Sequence, residues 1–244
     1  MSVYFITGID TDIGKTIATG SLARALHQKG CKVITQKLVQ TGCNGIAEDI
    51  MTHREIMGIG LQSCDIDMTT CPYVFQKPAS PHLASKLENT IIEPSRISDA
   101  TNTLKQDYDI VLLEGAGGLM VPLSDKLLTI DYIEAQGYPV VLVTSGRLGS
   151  INHTLLSIEA LAKRNLPLHA IIYNDWQPDK RLASEYSPDD EIVDSTKDYL
   201  QTYLANNHPD SHWIDLPNNS AINTDDLSDS DCRSSLNNYA EHLI

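Results

Sequence analysis

The stretch Val3-Tyr4-Phe5-Ile6-Thr7-Gly8-Ile9-Asp10-Thr11-Asp12-Ile13-Gly14-Lys15-Thr16 decides the fold. Val3 to Thr7 has the β-branched and aromatic make-up of a buried strand. From Lys15 to Lys29, the residues Ile17, Leu22, Ala25 and Leu26 fall near one helical face, and Gly30 supplies the stop. A strand, a glycine-bounded loop ending in Gly-Lys-Thr and a helix, in that order, predict a phosphate-binding loop. Backbone N–H groups and the helix N-terminus surround phosphate oxygens, the lysine adds charge, and the Thr16 hydroxyl is placed to ligate magnesium. The loop is wider than usual, with five residues between Gly8 and Gly14. ATP or a related nucleotide is the implied ligand.

Further short apolar runs at 32–36, 109–114, 139–144 and 169–173 alternate with helical patterns at 46–60, 94–106 and 192–204. This alternation predicts an α/β fold: a single-domain open, mainly parallel sheet with helices on both faces, of the P-loop NTPase type. Pro94 suits a first helical position. Residues 175–190, with Pro178 and Pro188, read as a polar excursion. Residues 218–244 read as loop plus a short terminal helix of no assignable task. A chain of 244 residues is expected to form one domain.

The second chemical signal is Asp109-Ile110-Val111-Leu112-Leu113-Glu114-Gly115-Ala116-Gly117-Gly118, a buried strand that delivers an acid to its C-terminal end before a glycine turn. Open parallel sheets bind ligands beyond those strand ends, so Glu114 should approach the phosphate loop and complete a magnesium site. Gly149 to Asn152 precede the periodic Leu155, Ile158 and Leu161, so their N–H groups should form a helix-start anion site.

Acids outnumber bases 32 to 18, which gives a net charge of −14 and excludes a broad nucleic-acid footprint. No apolar run approaches the roughly 20 residues that span a bilayer, and no export signal opens the chain, so a cytoplasmic, non-membrane protein is expected. The five cysteines are widely spaced and read as reduced thiols. His53, His82 and His153 form no zinc-binding pattern and read as surface or supporting groups.

The extended loop Gly8 to Thr16, the segments Lys37-Leu38-Val39-Gln40-Thr41-Gly42, Glu114 to Gly118 and Leu148-Gly149-Ser150-Ile151-Asn152-His153, and Asn174-Asp175 occur in an order that resembles the dethiobiotin synthetases. The likeness spans about residues 3 to 176, with Ser80-Pro81-His82 and Pro122-Leu123-Ser124-Asp125 as further family-like segments. It implies ATP-dependent closure of a cyclic urea from 7,8-diaminononanoate and CO2 or bicarbonate. It also implies a homodimer in which the turn at Ser150 and Asn152 reaches the substrate carboxylate across a twofold interface.

By position, the resemblance implies that Asp12, Ile13, Gly14, Lys15, Thr16 and Ile17 hold the nucleotide phosphates, with Gly115, Ala116 and Gly117 nearby. Thr16, Asp49 and Glu114 would hold Mg2+, with Glu48 as the competitor of Asp49. Lys37, Lys15 and Thr11 would be catalytic, and Lys37 and Thr41 would face the diamine and carbamate. Asn174, Asp175, Leu216 and Pro217 would border the base. Leu38 replaces the proline that the family commonly has after the lysine.

Two other readings of the same loop stand beside this one. Larger P-loop amidoligases carry a glutaminase domain, for which 244 residues leave no room. Partitioning ATPases act as nucleotide switches, but they typically begin the loop with Lys-Gly-Gly, where this chain has Gly8-Ile9-Asp10.

Overall fold

The computed structural model describes residues 1–175, 190–216 and 230–243. The first half comprises β1 (Ser2–Gly8), α1 (Lys15–Gln28), β2 (Val33–Lys37), β3 (Gln40–Thr41), α2 (Glu48–Met57), α3 (Ser63–Ile66), β4 (Val74–Phe75), α4 (Pro81–Leu87) and α5 (Pro94–Asp107). There follow β5 (Ile110–Gly118), β6 (Pro122–Ser124), β7 (Leu127–Leu128), α6 (Thr129–Gln136), β8 (Val140–Ser145), α7 (Ser150–Lys163), β9 (Leu168–Asn174), α8 (Asp190–Asn207), β10 (His212–Leu216) and α9 (Ser230–Leu243).

Six strands form one sheet in the order β10-β9-β8-β1-β5-β2, and every pairing in it is parallel. The order reverses about β1: β2 and β5 lie on one side, β8 to β10 on the other. Loops leaving the C-terminal ends around β1 therefore open a crevice, the usual ligand position in such sheets.

Strand alternation splits the core into two layers. Ile6, Leu112 and Val143 face α1 and α9, packing on Leu22, Leu26 and Tyr239. Phe5, Val111 and Leu113 face the other way, onto Ile97 of α5 and Ile130 of α6. Leu142 and Ile171 meet Ile158 of α7 and Leu204 of α8. Burial of each large apolar side chain contributes about 1.5–3 kcal/mol, so the central strands are fixed firmly.

The expected strands and helices are present, with Pro94 opening α5 as anticipated. The glycine turn expected after Glu114 is refined: β5 pairs with β1 as far as Gly118, with left-handed backbone at Gly117 (φ 70°) and a register shift between Ile6 and Gly8. The strands approach closely there, and a Cβ on Gly115 would sit 3.0 Å from the Phe5 ring.

The short terminal helix is a correction. α9 has 14 residues and inserts Leu236, Tyr239, Ala240 and Leu243 into the layer shared with α1. Their i, i+3, i+4, i+7 spacing supplies the apolar stripe that the polar composition obscures. Lys29 adds an ion pair to Glu241 at 2.6 Å. Most of the polar excursion, residues 176–189, lies outside the described residues.

Candidate active site

The β1–α1 loop accommodates its extra residue by left-handed backbone at Asp12 (φ 55°) and Gly14 (φ 90°). Gly14 is required: a Cβ there would lie 2.2 Å from Asn174 Nδ2. Asn174 donates from that nitrogen to the Ile13 carbonyl at 3.0 Å, which ties the end of β9 to the loop. Lys15 is buried and donates from Nζ to the Asp10 carbonyl at 2.9 Å. Burial and the nearby Lys37 ammonium pull its pKa down to about 8.

Lys37 and Glu114 are register partners on the adjacent strands β2 and β5, so their side chains leave the same face at the C-terminal edge. Lys37 Nζ donates to Glu114 Oε1 at 2.7 Å and to the Gly115 carbonyl at 3.1 Å, and it pairs with Asp49 Oδ2. Burial alone would lower the Lys37 pKa, but Glu114 and Asp49 outweigh it and hold the ammonium above the ordinary lysine value. Burial would likewise raise the Glu114 pKa, yet Lys37 and His53 hold its carboxyl well below the usual range. The Lys37 ammonium and the Glu114 carboxylate remain charged across the physiological range.

Thr16 Oγ1 lies 3.1 Å from Asp49 Oδ1 and 3.4 Å from Glu114 Oε1. Asp49 therefore faces the loop, whereas Glu48 is exposed. One hydroxyl and two carboxylates are the hard oxygen donors that Mg2+ selects, and they converge at the start of α1, so the residues present fit that ion bound with a nucleotide.

A cleft of about 460 Å³ gathers these groups. Thr11 through Ile17 line it from the loop, Lys37 and Thr41 from the β2 side, and Asp49 from α2. Ala116, Gly117 and Asn174 complete the expected wall, and Val39 and Gln40 join it unforeseen. Gln40 Oε1 accepts from the Asp49 N–H at 3.4 Å.

Other expected residues lie elsewhere. Gly115 is buried in the sheet and contributes only its carbonyl, to Lys37. Ser150 is buried with its hydroxyl 3.2 Å from Ser145 Oγ, and Asn152 is exposed on α7. Neither lines the cleft. Asp175 is exposed beside Asn174, while Leu216 is buried opposite Asn174 in the sheet register. Pro217 falls outside the described residues. A groove of about 580 Å³ adjoins the cleft at Thr11 and is lined by Leu119, Met120, Val121, His153 and Leu156.

His53 takes the supporting place of its two expected ones. The sequence places it among surface or supporting groups, yet it is fully buried, with Nε2 2.9 Å from Glu114 Oε2 and Nδ1 3.0 Å from Thr35 Oγ1. Its position one helical turn after Asp49 was the available signal. Arg54 continues the chain of contacts, donating to Thr35 Oγ1 at 2.8 Å and to both oxygens of Asp65 at 2.9 and 2.8 Å.

Breaking such a buried pair leaves an unmatched charge, so Asp65→Asn should cost about 3–5 kcal/mol in urea unfolding at pH 7. Burial opposes ionisation of Asp65, but Arg54 and the Gln62 N–H reverse it and lower the Asp65 pKa below 3.8. The pair's stabilisation is thus complete above about pH 4 and is lost as pH falls through the lowered folded value. An Asp65→Asn protein as stable as the parent at pH 7 would contradict this.

Comparison with known proteins finds relatives in sequence and in fold. The family described as an AAA domain matches residues 2–206. A relative from Pasteurella multocida named "ATP-dependent dethiobiotin synthetase BioD 2" is 52% identical over 209 residues, covering 86% of this chain and 94% of the relative. The "ATP-dependent dethiobiotin synthetase BioD" of Chlorobaculum tepidum is 55% identical over 183 residues, covering 75% and 77%. Among solved structures, a ParA family ATPase from Chlorobium tepidum superposes with a TM-score of 0.55 at 17% identity over 99% of both chains. The MinC:MinD complex of Aquifex aeolicus gives 0.55 at 15% identity over 100% of this chain and 96% of that one. At those identities the likeness is one of fold.

Proposed function

Because this chain belongs to the ATP-dependent dethiobiotin synthetase family, we propose that the cleft around Lys37 is where it closes the dethiobiotin ring. The chain is an ATP-using ligase of biotin biosynthesis. The observation that carries the site reading is the buried Lys37 ammonium beside Glu114 and Asp49, at the mouth of the phosphate-binding loop.

In the proposed reaction, one amine of 7,8-diaminononanoate takes up CO2 as a carbamate and releases a proton. A carbamate oxygen attacks the γ-phosphorus of ATP, and ADP leaves. The second amine attacks the carbonyl carbon, phosphate departs, and the amine proton is lost as the cyclic urea forms. Such chemistry needs chiefly alignment and neutralised charge. The loop N–H groups and Lys15 would hold the phosphates. Thr16, Asp49 and Glu114 would hold Mg2+, which when bound neutralises phosphate charge. Lys37, Thr11 and Thr41 would face the carbamate, and Asn174, Asp175, Leu216 and Pro217 would lie toward the base.

The same reading makes the active form a cytoplasmic homodimer of one-domain subunits. The dimer is supported by exposed Met120 and Leu156, at 53% and 56%, apolar residues that line the groove adjoining the cleft at Thr11. The Ser150 hydroxyl is occupied within the fold, so this turn would offer the substrate carboxylate its backbone N–H groups and the Asn152 side chain. Among the described residues, no helix is long and apolar enough to cross a membrane.

Phosphate release from ATP should require both the diamine and bicarbonate, and it should yield one dethiobiotin per phosphate. Dilution below the dimer's dissociation range should lower specific activity. Hydrolysis that proceeds equally without the diamine would instead support a nucleotide switch and overturn the proposal.

A further inference from the structure

His53 has no part in any phosphate or substrate contact described above, yet it is completely buried against the carboxylate at the centre of the site. The donors and acceptors around it form one connected set. Glu114 is ionised and accepts only, so His53 Nε2 must carry a proton toward Oε2. Thr35 Oγ1 accepts from Arg54 at 2.8 Å and lies 3.0 Å from His53 Nδ1, so it links the two side chains. Every polar atom in the chain Asp65–Arg54–Thr35–His53–Glu114 is then satisfied, and each bond fixes the orientation of the next.

The consequence for Glu114 is a division between its two oxygens. Oε2 is committed to His53, and Oε1 alone points to Lys37 and Thr16. His53 also stands four residues after Asp49 on α2, so its bond to β5 sets the separation between the two acids. We infer that His53 is a positioning residue, which holds Glu114 in one-oxygen geometry toward the cation site and fixes α2, with Asp49, at the matching distance. Mg2+ demands near-ideal octahedral geometry, so a carboxylate free to rotate or bind through both oxygens would hold it poorly.

This inference rests on Glu114 being a metal ligand, and the experiment separates the two claims. Binding of Mn2+ to the full-length protein with ADP is read from the resonance of free Mn2+, and metal-free ADP binding is read by calorimetry in chelator. His53→Leu should weaken Mn2+ binding about 10–100-fold, the usual effect of losing a partner that orients a ligand, with metal-free ADP affinity within about twofold.

His53→Gln should restore most of the loss, because a glutamine amide places a donor toward Glu114 and an acceptor toward Thr35. Parental Mn2+ binding by His53→Leu, or equal losses in the Leu and Gln variants, would reduce His53 to packing and overturn the inference. Should His53→Leu fail to fold, Thr35→Val decides by the same measure: selective loss of Mn2+ supports the relay, and no loss overturns it. If Glu114→Gln itself leaves Mn2+ binding intact, the assignment of the metal site has failed, whatever His53 does.

Discussion

Lys37→Gln should lose at least ~10²-fold in ring closure while binding ATP with nearly unchanged affinity, the effect expected when one preorganised charge-stabilising donor is removed. Lys37 Nζ touches Glu114 Oε1, the Gly115 carbonyl and Asp49, not the loop that would hold the α- and β-phosphates. Its charge is therefore spent on the reacting end of the substrate, where carbamate and transferring phosphoryl group bring negative charge together. With its pKa held above the ordinary lysine value, Lys37 stays protonated through the working range, and its removal should lower the rate at every pH. Lys37→Arg should also be impaired, because a planar guanidinium does not fit where a compact ammonium is buried between two carboxylates. Calorimetry for ATP and a product assay on the same samples decide the matter. If Lys37→Gln makes dethiobiotin near the parental rate, the active site is misplaced.

What could be read from the sequence, and what could not, follows from the range over which each signal acts. The phosphate loop was legible because its chemistry is local: a buried strand, a left-handed glycine and a lysine lie within a single contiguous stretch. The Lys37–Glu114 pair was half legible. Each residue ends an apolar strand, but their contact depends on β2 and β5 being neighbours, although 77 positions separate the two residues. Asp49 could not be chosen over Glu48 without the rotation of α2, which follows from packing. For a related reason the sequence leaves His53 between a surface and a supporting role, since a lone histidine on a helix says no more until the opposing strand is known to present Glu114.

The errors have physical causes too. Gly115 resembles a phosphate-loop glycine, but its lack of a side chain serves the close approach of β5 to the Phe5 ring. The C-terminal helix was underrated because a polar composition hid four apolar residues on one face.

Thr16→Val tests whether the site depends on a metal at all, and its expected effect is as large as that at Lys37. Valine keeps the volume and β-branching of threonine, so the start of α1 should not move, but it offers no oxygen. In the structure the Thr16 hydroxyl lies within reach of both Asp49 and Glu114, at 3.1 and 3.4 Å, and it belongs to the same loop as Lys15. Removing it leaves two carboxylates without the ligand that joins them to the nucleotide. ATP turnover should fall on the order of 10²-fold or more at low magnesium, since the ion supplies several kcal/mol of charge stabilisation to the transferring phosphoryl group. Raising magnesium should recover part of the rate, because a water can take the vacant ligand position at the cost of weaker binding. A Thr16→Val protein that turns over ATP at the parental rate in low magnesium would remove Thr16 from the cation site. It would leave Asp49 and Glu114 as partners of Lys37 alone.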